Sequence, residues 1–370
     1  MKSRGLSLLV PAAICLTALA IRAAGPPLTD SQGFANRLST PTRQANPAIP
    51  GTNRAVIASP TSRAIIPVIL DTDIGTDIDD TWALALLLRC PELDPKLILM
   101  ETGDSTYRAR ITAKFLAVAG RTDIPIGLGV KSKPMSVRLR NQDPWIKGYD
   151  LTRYPGEIAS DGVGRMIRII EESPVPVTII AIAPSANLAA ALARAPGIAA
   201  RCRLVGMFGS FSVGYSGGPP ASPETNVRVD PAALRVVLAA PWRDVLLTPL
   251  DTCNAAVLTG ENYHRIWSAT GDSTLRAVIE NYCVFAPRVN WMNCDFFAVR
   301  SSTLFDCVAV YLAYSENFVE TETIRFHISN NGYTLRDDHG EFTARVALHW
   351  KNLAAFQDHL TARLLRVGGP

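Results

Sequence analysis

Val68-Ile69-Leu70-Asp71-Thr72-Asp73-Ile74-Gly75-Thr76-Asp77-Ile78-Asp79-Asp80-Thr81-Trp82-Ala83-Leu84-Ala85-Leu86 passes from an apolar run through an acidic loop into a second apolar run. The first run is short and β-branched, as in a strand buried on both faces. The second, Asp80–Arg89, has the length and Leu/Ala content of a helix. Five carboxylates fall between Asp71 and Asp80. Like charge packed so densely at a strand end is unfavourable unless a cation or N–H donors compensate it. The helix N-terminus serves Asp79 and Asp80 in part. A hard divalent cation, Ca²⁺ or Mg²⁺, suits the remaining carboxylate oxygens. The bland alternative is a solvated Asp-rich capping turn. An EF-hand is rejected, because Gly75 sits one position early and Trp82 stands in place of the bidentate Glu. A haloacid-dehalogenase-type D-x-D start is a distant fit, since Gly75 replaces the Thr or Val it expects.

Outward from this stretch the chain alternates. Strands are expected at Val68–Asp71, Leu97–Glu101, Pro125–Leu128, Val177–Ile182, Leu204–Phe208 and Val245–Thr248. Helices are expected at Asp80–Arg89, Tyr107–Gly120, Gly162–Glu172, Ser185–Ala195 and Pro231–Ala239. The C-terminal third reads as helices near Glu261–Phe285 and Leu304–Ser315, a hairpin-like pair near Thr323–Ile328 and Glu341–Ala347, and a closing helix at Leu353–Leu365. Apolar strands separated by helices indicate an α/β, single-domain, open and mostly parallel sheet with helices on both faces, Rossmann-like in plan. Ligands bind such sheets at the carboxyl ends of the strands.

The ends of the chain are different. Lys2 and Arg4 precede the apolar run Leu6–Ala20, and small residues follow, which describes a secretory signal peptide over residues 1–24. Residues 25–64 carry six prolines among Ser, Thr, Asn and Gln and read as a disordered leader to a domain at 65–370. The expected location is secreted or periplasmic. The net charge is +4, of which three positive charges lie in the first 24 residues. The near-neutral remainder argues against nucleic-acid binding. No later segment has 18 unbroken apolar residues, so no membrane span is expected in the mature form. The sequence leaves oligomeric state open, a homo-oligomer included. Beyond Cys15 there are six cysteines, which read mainly as small buried hydrophobes; Cys283 and Cys294 are the pair best placed for a disulfide.

Four segments in order resemble the inosine–uridine-preferring nucleoside hydrolase family. They are Val68–Leu86, Ile182–Leu188 (IAPSANL), Glu224–Pro231 (ETNVRVDP) and Leu304–Val310 (LFDCVAV). The first departs from the family's D-x-D-P-G-x-D-D by two extra residues between Gly75 and the Asp pair. The resemblance implies a nucleoside hydrolase-like fold and Ca²⁺-dependent hydrolysis of a nucleoside's N-glycosidic bond. It implies Asp73, Asp80 and Asp306 as carboxylate ligands of Ca²⁺ and Ala186 as a backbone-carbonyl ligand. Asp79 matches the general base that takes a proton from a water on the ion. Glu224 and Asn226 match groups that hold the ribose hydroxyls. Asp104 stands where an Asn usually does so, and Met207 aligns with a backbone contact to the sugar.

These residue types suit the chemistry. Breaking the bond gives the ribosyl group oxocarbenium character, which nearby negative charge and a firm grip on the 2′- and 3′-hydroxyls stabilise. Other readings stand beside these roles. Asp230 and Ser185 read as helix caps, and Asp306 would also cap its helix. Asp71 and Asp77 either support the cluster or serve the fold. Phe305 occupies the position before the metal Asp where well-known members carry the His that protonates a leaving purine. Gly218 falls where some members place an Asn for the ribose 5′ end. A catalytically weak ribose-binding relative, or a hydrolase of a ribosylated substrate with a good leaving group, is therefore the alternative. Of the five His, only His264 lies in the region that shapes the base pocket.

Overall fold

Val68 and Leu70 enter one apolar core and Ile69 the other, so the strand that carries them needs a covering layer on each face. The computed structural model describes residues 65–131, 140–269, 271–292, 294 and 299–366. The signal peptide and leader expected over residues 1–64 lie outside the described residues.

Ten strands form one sheet. They are β1 (Ile66–Thr72), β2 (Leu93–Met100), β3 (Ile126–Leu128), β4 (Ile158–Ala159), β5 (Val177–Ile182), β6 (Cys202–Gly206), β7 (Asp244–Leu247), β8 (Val319–Ile328), β9 (Thr334–Arg336) and β10 (Phe342–Trp350). Their order is β4-β3-β2-β1-β5-β6-β7-β10-β8-β9. Every pair is parallel as far as β10, whereas β8 runs antiparallel to both β10 and β9. The sheet is open and mostly parallel, as the alternation predicts. The C-terminal hairpin extends it, because β10 pairs with β7 through Arg345 and Val346.

The helices are α1 (Asp79–Leu88), α2 (Ser105–Val118), α3 (Gly162–Glu172), α4 (Ala186–Arg194), α5 (Thr225–Val229), α6 (Pro231–Leu238), α7 (Leu250–Cys253), α8 (Gly260–Ser268), α9 (Ser273–Phe285), α10 (Phe305–Leu312) and α11 (Leu353–Leu364). Side chains of α3, α4 and α6 fill the core on one face, and those of α1, α2, α9, α10 and α11 fill the other. Trp82 of α1 anchors the second core, 6.5 Å from the rings of both Tyr263 and Tyr282. The helix expected near Glu261–Phe285 is two, because Asp272 caps a new start by accepting the Leu275 amide at 2.9 Å. Cys90, Cys202, Cys253 and Cys307 are buried thiols, and no disulfide links Cys283 to Cys294. Among the described residues, no helix is long and apolar enough to cross a membrane.

The sheet places its crevice next to β1, where the order turns toward β2 on one side and β5 on the other. Gly75 bends the chain there with φ +105°. A Cβ on it would stand 2.6 Å from Ile111 Cδ1 and 2.7 Å from Tyr107 Cε1. Tyr107 also donates its hydroxyl to the Gly75 carbonyl at 3.0 Å. Gly75→Ala is expected to cost about 1–3 kcal/mol, read as a lower urea midpoint; an unchanged midpoint would show the turn relaxes freely.

Candidate active site

Three carboxylates meet at this crevice. Asp79 and Asp80 open α1, Asp306 is the second residue of α10, and one oxygen of each lies within 4.8 Å of the others. All three are buried. Thr72 donates its hydroxyl to Asp80 Oδ1 at 2.5 Å, tying the end of β1 to the start of α1. Asp306 shares a hydrogen bond with Asp79. Burial raises Asp79 to about 7, opposed by that bond and reinforced by the charge of Asp73. Asp80 and Asp306 are pushed well above the ordinary range by burial and by their acidic neighbours. Burial also raises Asp73, and Arg108 pulls it back.

Arg108, on α2, is a buried cation beneath this loop. It donates to the carbonyls of Thr102 at 2.7 Å, Ile74 at 3.0 Å and Asp73, and lies 3.9 Å from Asp73 Oδ2. Asp73 is thus drawn toward Arg108, while Asp79 completes the close carboxylate trio. The donor set is oxygen only, anionic and convergent. Such a set fits a hard divalent cation and does not fit a soft metal.

The trio lines a cavity of about 620 Å³. Glu224, Asn226 and Met207 also line it. Glu224 is the N-cap of α5 and accepts amides from Asn226 at 2.7 Å, Val227 at 3.2 Å and Gly209 at 3.1 Å. Burial lifts its carboxyl to about 7 against these bonds. Asn226 donates its amide to the Met207 carbonyl at 3.1 Å. Tyr215, Trp291, Met292 and Phe305 add aromatic and apolar surface to the lining. Tyr215 packs edge-on to Phe305 with centroids 6.1 Å apart.

The structure brings Asp73, Asp79, Asp80, Asp306, Glu224, Asn226 and Met207 to this one cavity. Ala186 is the first residue of α4, immediately beyond β5, and is not among the lining side chains. Asp104 is not among them either. It caps α2 through the Tyr107 amide at 2.9 Å and pairs with Arg140 at 3.0 Å on the surface. Asp77 lines the cavity and Asp71 does not. Asp230 caps α6 through the Ala233 amide. Ser185 occupies the N-cap of α4, yet its hydroxyl takes no helix amide, because Glu101 Oε2 accepts from Asn187 at 2.6 Å instead. No His is among the described lining residues; His264 is exposed on α8, and His359 bonds Tyr314 at 2.8 Å.

Sequence reasoning did not find the buried network beneath the site. Asn187 donates to Asp71 Oδ1 at 2.9 Å and to the Met100 carbonyl at 3.1 Å, and its oxygen accepts the Val130 amide. Glu101 also accepts the Thr102 amide, at a residue held at φ +61°. Asn187 stands in a recognisable segment, but its partners are 57 to 116 residues away in sequence, and no spacing rule reaches that far.

Residues 68–358 match the family model described as inosine-uridine preferring nucleoside hydrolase. The pyrimidine-specific ribonucleoside hydrolase RihA of Citrobacter koseri is 31% identical over 223 residues, covering 58% of this chain and 69% of that protein. Its counterpart from Salmonella arizonae is 29% identical over 266 residues, 70% and 82% of the two chains. Among solved structures, the inosine-uridine preferring nucleoside hydrolase of Bacillus anthracis superposes with TM-score 0.67 at 19% identity, over 82% of this chain and all of that one. The purine-preferring ribonucleoside hydrolase of Gardnerella vaginalis gives 0.62 at 21% identity, over 80% and 98%. At these identities the structural likeness speaks to the fold, while the family match spans the acidic loop, Glu224, Asn226 and the start of α10. The chain belongs to the inosine-uridine preferring nucleoside hydrolase family, enzymes that hydrolyse ribonucleosides at the N-glycosidic bond.

Proposed function

We propose that this protein hydrolyses ribonucleosides to ribose and free base with Asp79 as general base and Ca²⁺ as the cation held by the acidic cluster. The observation that carries this reading is the convergence of Asp79, Asp80 and Asp306 within 4.8 Å, in the cavity that Glu224 and Asn226 also line. Asp73, Asp80, Asp306 and the Ala186 carbonyl would hold the ion, which when bound neutralises the cluster and makes an adjacent water more acidic. Asp79 takes the proton of the attacking water, which the ion when bound would make easier to remove. Glu224 and Asn226 grip the ribose hydroxyls. Their own hydrogen bonds to α5 and to Met207 keep both fixed before substrate arrives, so no reorganisation is needed as charge develops at C1′. Asp104 engages the sugar only after leaving Arg140. The charged start and apolar run of residues 1–24 support an exported protein.

Phe305 favours a second reading. It lines the cavity next to Asp306 and has no proton to give, so the chemistry suits a leaving group that needs little protonation, or a weakly catalytic ribose binder. Ribose release by the purified protein from a nucleoside panel and from p-nitrophenyl riboside, with and without EDTA, separates these. EDTA-sensitive release from nucleosides supports the main reading. Cleavage of p-nitrophenyl riboside alone marks the missing acid, and no release with Ca²⁺ bound leaves the binder.

A further inference from the structure

Arg108 is a buried cation, 5% exposed, that takes no part in the proposed hydrolysis. Taking a guanidinium out of water is costly unless its partners offset the loss. Its Nε donates to the Thr102 carbonyl at 2.7 Å, and its Nη1 donates to the Ile74 carbonyl at 3.0 Å and to the Asp73 carbonyl. Nη2 stands 3.9 Å from Asp73 Oδ2, outside hydrogen-bond reach. The close bonds go to backbone, and the Asp73 carboxylate is attracted without being captured. These carbonyls belong to two loops: Asp73 and Ile74 follow β1, and Thr102 follows β2. Both loops turn through the left-handed region, at Gly75 with φ +105° and at Thr102 and Gly103 with φ +61° and +68°, so neither keeps its shape by ordinary backbone preference. Glu101 fixes Thr102 from the other side. One of its oxygens accepts the Thr102 amide at 2.9 Å, and the other accepts the Asn187 amide at 2.6 Å, next to Ala186. Buried bonds thus run from the Asp73 backbone through Arg108, Thr102 and Glu101 to the backbone beside Ala186.

We propose that Arg108 is a positioning residue that clamps the loops after β1 and β2 together, aims the Asp73 carboxylate at the cation site and so sets cation affinity; this rests on reading the acidic cluster as a Ca²⁺ site. The other task open to a buried cation here is countercharge, which would steady the carboxylates while no metal ion is bound. The two roles predict opposite signs. A clamp favours the cation-bound form, so its loss weakens Ca²⁺ binding. A countercharge competes with the cation, so its loss tightens Ca²⁺ binding. The geometry favours the clamp, because Arg108 makes its close bonds to three carbonyls and leaves a gap of 3.9 Å to the carboxylate. A planar guanidinium with donors on three nitrogens can hold carbonyls of two loops at once, which an ammonium cannot match.

The test is calorimetric titration of the metal-stripped protein with Ca²⁺, for the wild type, Arg108→Met and Arg108→Lys, each also in an Asp73→Asn background. Arg108→Met is expected to weaken Ca²⁺ binding by about 10- to 100-fold. Arg108→Lys keeps the charge without the fork and should recover part of that loss; it carries the test if Arg108→Met does not fold. In the Asp73→Asn background the cost of either substitution should largely vanish, because the ligand that Arg108 positions is gone. Melting temperatures separate this role from a merely structural one. A structural residue lowers them equally in Ca²⁺ and in EDTA, whereas loss of the clamp also shrinks the gap between the two. With a nucleoside substrate, raising Ca²⁺ should restore most of kcat in both variants. Unchanged or tighter Ca²⁺ binding in the variants overturns the proposal, the latter making Arg108 a countercharge. A cost that persists undiminished in Asp73→Asn overturns it as well. A wild type that binds no Ca²⁺ sinks the cation reading and the clamp together, whereas equal binding by wild type and variants sinks the clamp alone.

Discussion

Asp79→Asn is expected to lower kcat by about 10²- to 10⁴-fold on any ribonucleoside the wild type cleaves, with KM and Ca²⁺ binding nearly kept. The amide preserves shape and the start of α1 but cannot take a proton. Asp73, Asp80 and Asp306 remain to hold the ion, so the Ca²⁺-induced rise in melting temperature should persist in the variant. A variant as active as the wild type would remove Asp79 from the role of base. Loss of the Ca²⁺ shift together with activity would make Asp79 chiefly a ligand, as its place in the close carboxylate trio would then indicate.

EDTA is expected to abolish turnover and to lower stability in a pH-dependent way. Burial holds protons on Asp71 and Asp79 up to about pH 7, whereas the ordinary carboxyl value is 3.8. Between these values the folded, cation-free protein binds more protons than the unfolded chain, so its stability is greatest at acid pH and falls as pH rises toward 7. A cation at the cluster takes the place of the proton on Asp79. The gap in melting temperature between Ca²⁺ and EDTA should therefore widen as pH rises from 5 to 7. At a hundredfold excess over Kd the cation contributes about 2.7 kcal/mol. A gap that is constant or narrows with pH would show that the cluster is not proton-loaded and that the cation sits elsewhere.

Much of the site was legible because its residues come in short local patterns. The strand–acidic loop–helix of Val68–Leu86 announces both a buried β1 and a cation cluster, since each follows from neighbours in sequence. Glu224 and Asn226 are readable for the same reason. What escaped reading was long-range. Arg108 meets Asp73 from 35 residues away, and Asn187 meets Asp71 from 116. Ser185 looked like a cap, and only Glu101, brought alongside by the pairing of β1 with both β2 and β5, makes it unnecessary.

Local composition by itself determined the α/β plan, the mostly parallel direction of its apolar strands and the cluster of carboxylates at a strand end, because hydrophobic periodicity and charge density act over a few residues. Tertiary structure alone decided that Asp306 joins Asp79 and Asp80, and that Asp104 turns to Arg140 outside the cavity. Those outcomes depend on which helix lies across which strand end, and that is fixed by the packing of two cores against one sheet.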